Sequence, residues 1–174
     1  MGADQIVADI ARDADAAARA CEGVEAVVHL AGDNEVAAAR DPAFALGGTV
    51  LATERLVEAV LRTGVRRLVY MSTMHVYGRR MTGGAVLTED LRPEPRSTYA
   101  IARLASEHLT AALASAGVEV VVLRMTNSVG APAIRLSTAG LWRPTTYVAR
   151  VRCMAGSSFG PPACSGVTSS HFAT

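Results

Sequence analysis

From its start to about residue 130 the chain alternates short apolar, β-branched runs with longer stretches of helical period. That alternation restricts it to a parallel α/β sheet. Gln5 to Ala8 reads as a short strand, and Asp13 to Cys21 as an alanine-rich helix closed by Gly23. Glu25 to Ala31 (EAVVHLA) is a buried strand by composition. Pro42 lies near the start of a helical pattern that runs to Arg62 and stops at Gly64. Arg67 to Ser72 (RLVYMS) is the next strand, and residues 78–97 carry the glycine, proline and charge of a loop. Ser97 to Ala116 is a second long helix ended by Gly117, and Glu119 to Arg124 (EVVVLR) is a further strand. The order β-α-β-α-β-loop-α-β makes an incomplete Rossmann-like, doubly wound parallel sheet.

The opening unit of such a sheet is missing from the pattern. A dinucleotide-binding sheet begins with a strand, a glycine-rich turn and a helix whose N-terminus holds the pyrophosphate. Neither GxxGxxG nor GxGxxG occurs here: Gly47-Gly48 falls inside a helical pattern and Gly83-Gly84 in a loop. A first βαβ unit would need roughly 30 residues or more, so the expectation is a chain that starts inside a domain. The organisation expected is a partial dinucleotide-binding domain over 1–132 and an irregular tail over 133–174. The tail shows no sustained period and scatters Cys, Ser, Pro and Gly.

Composition narrows the function classes. A net charge of +1 on 174 residues gives no electrostatic case for nucleic acid or a membrane surface as partner. All 17 basic residues are arginine, which points to GC-rich coding DNA. No apolar run approaches the roughly 20 residues of a membrane span, and MGADQIVADIARD lacks the layout of a signal peptide. Cys21, Cys153 and Cys164 are odd in number with no CxxC spacing, so no metal site or disulfide framework is expected. The chain reads as cytoplasmic.

Six segments carry a resemblance. They are ADIARD, VVHLAG, GGTVLATERLVEAVLRTGVRRLVYMS, STMHVYG, STYAIARLASEHL and LRMTNSVGAP. In this order and at these spacings, between Asp9 and Pro132, they resemble the NAD(P)-dependent epimerase/dehydratase family of extended short-chain dehydrogenases. The resemblance implies NAD as cofactor, with NADP not excluded. Asp9 would reach the adenine amino group and Ile10 would pack its ring. Leu30, Ala31 and Gly32 would pass under the cofactor, and Thr126 would lie near the nicotinamide. Tyr99, Thr73 and Arg103 would be the catalytic group and would also touch the cofactor. Thr73, Met74, His75 and Asn127 would meet the substrate, expected to be a nucleotide-linked sugar.

The implied chemistry suits these residue types. Tyr99 and Arg103 are one helical turn apart, so both project from one face. A tyrosine with an ordinary pKa near 10 is a poor base at neutral pH, and a cation one turn away favours the phenolate. Tyr99 would then remove a hydroxyl proton while hydride passes to the cofactor. Two positions depart from the family pattern. Its lysine is Arg103 here, a planar fork in place of a point ammonium, and its helix asparagine falls on Ala45. Thr73 is followed by Met74 and His75 without the Asp-Glu pair of sugar dehydratases, so epimerisation or reduction is expected over dehydration. Two other readings stay open: a non-catalytic fragment without dinucleotide binding, and a steroid- or flavonoid-type reductase.

Several residues have plainer readings. His29 reads as a satisfied core histidine, and Thr49 and Thr53 as helix packing. His108 and His171 carry no signal. Arg79 and Arg80 are a short charge run in a solvated loop, where substrate phosphates could be met. The two long helices could form a homodimer interface. Residues 137–150, back-translated and read one base earlier, permit VDRWTLAADDLRRA. Residues 156–173 permit LVLRSSGVQWRDFIAL, which holds the Arg-Asp-Phe segment of the family's C-terminal half. A one-base frameshift between about Ala131 and Ser137 is therefore expected.

Overall fold

The structure, a computed structural model, describes residues 4–126 and 147–150. Strand β1 (Asp4–Val7) leads through a turn at residues 10–12 to helix α1 (Ala14–Cys21). Asp13 caps that helix, its Oδ1 accepting from the Ala16 N–H at 3.0 Å. Strand β2 (Ala26–His29) follows, then a short helix α2 (Glu35–Arg40) and the 22-residue helix α3 (Pro42–Thr63). Asp41 caps α3 by accepting from the Phe44 N–H at 3.0 Å, and Pro42 occupies the first turn, where its missing N–H costs nothing. Strand β3 (Arg67–Thr73) runs into a 3-10 helix (Met74–Arg80). After a loop, α4 (Thr98–Ala111) continues as a 3-10 turn (Ala112–Ala116) and leads to β4 (Glu119–Met125).

Strands β2, β3 and β4 form one parallel sheet in that order, with Val27, Leu68 and Val120 in register. Strand β1 was expected beside them but instead pairs antiparallel with β5 (Tyr147–Arg150) in a separate two-stranded sheet. The antiparallel ladder with β5 gives the backbone N–H and C=O groups of β1 their partners away from the parallel sheet. The tail, read as irregular, contributes β5; the remainder of 133–174, the expected frameshift and Asn127 lie outside the described residues.

Helices pack on one face of the parallel sheet. Leu68 and Tyr70 on that face are fully buried, and Ser72 nearly so. The core joins Ile10, Ala16, Ala17 and Cys21 to Ala52, Leu56, Ala59 and Val60 of α3, with Val65, Leu68, Leu113 and Val118. Alanine at so many contact positions lets α1 and α3 approach closely. On the opposite face Val28, Leu123 and Met125 are exposed. Among the described residues no helix is long and apolar enough to cross a membrane.

Candidate active site

Ligands of open parallel sheets bind beyond the carboxyl ends of the strands. Three strand ends and one helix start meet there. Strand β2 ends at His29 and turns through Leu30, Ala31 and Gly32; β3 ends at Thr73; β4 ends at Met125; α4 begins at Thr98. Ser97 caps α4 through a bond from the Ala100 N–H at 3.3 Å, which sets the phase that turns Tyr99 and Arg103 toward the sheet.

Thr73 is buried, and its Oγ1 accepts from the His75 N–H at 3.2 Å. The His75 ring stands edge-on to Tyr99 with centroids 6.2 Å apart. The Arg103 guanidinium carbon lies 5.5 Å from the centre of the same tyrosine ring, in cation–π range. Thr73, His75 and Tyr99 line a cleft of about 260 Å³ together with Glu35, Ser72, Met125 and Thr126. A larger cleft of about 630 Å³ lies alongside, sharing Met125 and Thr126 and including Met74.

Arg103 is 7% exposed, and its fork is directed at the backbone. Nη1 donates to the Ala31 carbonyl at 3.1 Å and to the Met71 carbonyl at 3.5 Å, while Nη2 donates to the Asp33 carbonyl at 3.5 Å. Nε is buried without a partner among the described residues. Gly32 has φ +134°, and a Cβ there would lie 3.0 Å from the Thr49 methyl and 3.1 Å from the Arg103 Cζ. Only a residue with no side chain lets the turn pass between them.

Two polar networks hold this platform from beneath. His29 Nε2 lies 3.0 Å from Thr53 Oγ1, which is 2.9 Å from the Thr49 carbonyl and 3.0 Å from Ser106 Oγ. Burial, with the nearby Arg103 charge, pushes the His29 pKa down to about 3, so the imidazole is neutral and satisfied, as its sequence context suggested. Thr49 and Thr53 do more than pack: Thr49 Oγ1 also accepts from the Asp33 N–H at 3.1 Å. Burial raises the Asp33 pKa, opposed by Arg103 and aided by Asp9. In the second network Glu107 accepts from Ser72 Oγ and from Arg124, whose Nη2 is 2.8 Å away. The Arg124 Nη1 donates to the Tyr77 hydroxyl at 3.0 Å. The hydrogen bond to Glu107 raises the Arg124 pKa further above its ordinary value.

The sequence-based assignments divide. Tyr99, Thr73, His75 and Thr126 line one cleft, and Arg103 stands behind it. Leu30 is 64% exposed on the turn. Asp9 is half-buried; its Oδ1 accepts from the Ala11 N–H and its other oxygen is 3.6 Å from Arg12. Ile10 is a core residue, 1% exposed. Met74 lines the larger cleft. Arg80 pairs with Glu94 at 2.7 Å instead of standing free. Glu35 was missed because a single exposed acid at the start of a six-residue helix has no signature. Ser72 was read only as strand, although alternation with the buried Leu68 and Tyr70 would have placed it on the inner face.

The profile of the NAD dependent epimerase/dehydratase family matches residues 5–144, and the chain belongs to that family. It is 39% identical over 87 residues to the GDP-6-deoxy-D-mannose reductase of Pseudomonas aeruginosa, covering 49% of this chain and 29% of that one. It is 33% identical over 138 residues to the L-arabinose 1-dehydrogenase (NAD(P)(+)) of Haloferax volcanii, covering 71% of this chain and 52% of that one. Among solved structures, a double mutant of the dTDP-glucose 4,6-dehydratase of Streptomyces venezuelae with NAD bound superimposes with a TM-score of 0.60 at 31% identity. That superposition covers 66% of this chain and 35% of the other. The chain thus spans between 29% and 52% of the length of these relatives.

Proposed function

We propose that this chain carries the nicotinamide and substrate end of an NAD(P)-dependent oxidoreductase or epimerase acting on a nucleotide-linked sugar. The observation that carries this reading is the convergence of Thr73, His75 and Tyr99 on one cleft at the carboxyl end of the sheet, backed by Arg103. Two of the three relatives described bear nucleotide-linked sugars in their names, which favours that substrate class. The residues fit a nicotinamide dinucleotide at this end. Gly32 leaves the turn bare, Leu30 and Gly32 are open to solvent, and one buried N–H of Arg103 has no partner among the described residues.

When bound, such a cofactor would take hydride from a sugar carbon and return it. Tyr99 acts as the base for the adjacent hydroxyl proton, and Thr73 Oγ1 bonds the same oxygen. Arg103 contributes the cation beside the tyrosine ring. Thr126 borders the nicotinamide position, and Asp9 stands where the adenine amino group would be met. His75 faces the substrate in this reading. The run Thr73-Met74-His75 supplies no acidic pair for elimination, so epimerisation or reduction is favoured over dehydration. A homodimer through α3 and α4 belongs to the same reading, since Leu51, Leu61 and Ile101 on these helices are exposed.

The test is NADH and NADPH titration by nicotinamide fluorescence, followed by turnover with GDP-, dTDP- and UDP-hexoses and with a steroid and a flavonoid as controls. Turnover of a hexose conjugate that falls about 10²–10⁴-fold in Tyr99→Phe, with dinucleotide binding retained, supports the assignment. Failure to bind either dinucleotide defeats it in favour of a non-catalytic member of the family.

A further inference from the structure

The Arg103 side chain does something that a point charge beside a tyrosine does not require. Among the described residues its three hydrogen bonds all go to main-chain carbonyls, and those carbonyls belong to two segments. Ala31 and Asp33 lie on the turn after β2, and Met71 lies near the end of β3. One planar group therefore ties the turn to the neighbouring strand end. The turn is also pinned from the other side, where the Asp33 N–H donates to Thr49 Oγ1 at 3.1 Å. Gly32 sits between these two anchors, with Arg103 and Thr49 both at the closest approach a Cβ could meet.

From this arrangement we infer that Arg103 is a positioning residue. Its guanidinium fork staples the Ala31–Asp33 turn to the end of β3, beside the Tyr99 ring. A guanidinium presents its donors in one rigid plane, so it can hold carbonyls of two segments in a fixed relation. An ammonium carries three donors on a flexible stem and fixes no such relation. The lysine that the family pattern places here would keep the charge and lose the staple. The Ala31 contact at 3.1 Å is the shortest of the three, the other two are long at 3.5 Å, and the low exposure of Arg103 keeps water from competing for them. All of these contacts are made within the chain itself.

The experiment is residue-resolved amide exchange by NMR on the full chain, comparing wild type with Arg103→Lys and Arg103→Met. The Asp33 amide is the reporter, and the amides of α1, on the far side of α3, are the control. The staple requires Asp33 exchange to rise at least tenfold in both variants while α1 is unchanged, so that restoring the charge with lysine does not rescue the turn. If lysine protects Asp33 as well as arginine does, charge alone suffices and the inference is overturned. Unchanged exchange in both variants overturns it equally. If the methionine variant does not fold, the lysine variant decides by itself. NADH titration of the same proteins separates this inference from the proposed function. A wild-type chain that binds no NADH counts against that function, and the exchange result still decides the staple.

Discussion

Gly78 kinks the 3-10 segment after β3 at φ +46° and ψ −100°, and the segment leading into α4 crosses directly over it. A Cβ at this position would lie 1.9 Å from the Glu94 carbonyl oxygen and 3.0 Å from the Pro95 Cα. Both are inside the roughly 3.5 Å of ordinary carbon contact, the first far inside it. Both obstacles are backbone, so no rotamer change relieves them. Gly78→Ala therefore combines two costs. The backbone conformation itself costs about 1–3 kcal/mol for a residue with a side chain. Moving residues 94–95 away breaks the bonds from the Arg79 N–H to the Glu94 carbonyl at 3.3 Å and from the Glu94 N–H to the Val76 carbonyl at 3.0 Å. Each of these contributes about 1 kcal/mol. The expected loss is about 3–5 kcal/mol, a large part of the roughly 5–15 kcal/mol that a domain has in total. Urea unfolding followed by far-ultraviolet circular dichroism measures it. A loss below about 1 kcal/mol would refute the reasoning, because the crossing would then be free to slide.

Two further substitutions probe the networks under the site. His29 binds protons in the unfolded chain below its ordinary pKa of 6.5 and in the folded chain only near 3. The unfolded state therefore holds the extra proton, and stability falls as pH drops from about 6.5 toward 3, by up to about 1.4 kcal/mol per pH unit. His29→Asn should flatten the slope between pH 6.5 and 5 in urea titrations, and an unchanged slope would assign the dependence to other groups. Arg124→Met leaves the Glu107 carboxylate, whose side chain is 7% exposed, without its cation. A loss of about 3–5 kcal/mol is expected. Adding Glu107→Leu should recover part of that loss, and strict additivity in the double-mutant cycle would show that the pair is not coupled.

Much of the architecture could be read from local chemistry. Asp13, Pro42 and Ser97 mark helix starts by capping or by a fixed φ, and β3 was placed within one residue because Leu68 and Tyr70 alternate with neighbours of the other face. Helix α2 was missed. Six residues are too few for a period to register, although Asn34, whose side chain accepts from the Ala37 N–H at 2.8 Å, is a capping residue in plain view. Strand β1 was recognised as a strand but placed in the wrong sheet, because periodicity says nothing about which edge a strand joins. At the site, the one-turn spacing of Tyr99 and Arg103 was legible because a helix converts spacing into proximity. The direction of the Arg103 fork was not, since its acceptors are carbonyls, and every residue has one. Ile10, assigned to the cofactor by its motif position, packs in the hydrophobic core.

The face of the sheet opposite the helices changes how the chain behaves as a solute. Val28 is 59% exposed, Met125 44% and Leu123 39%, so a wall of aliphatic surface meets water. Aliphatic contact between molecules strengthens with sulfate and weakens on cooling. Stock solutions should accordingly cloud on warming and salting-out, and clear again on chilling. Polar replacements on this wall, such as Val28→Thr or Leu123→Gln, raise the clouding threshold at little cost to folding, because these side chains have little burial to lose. The same replacements at Leu68 or Tyr70, on the other face of the same sheet, would unfold it.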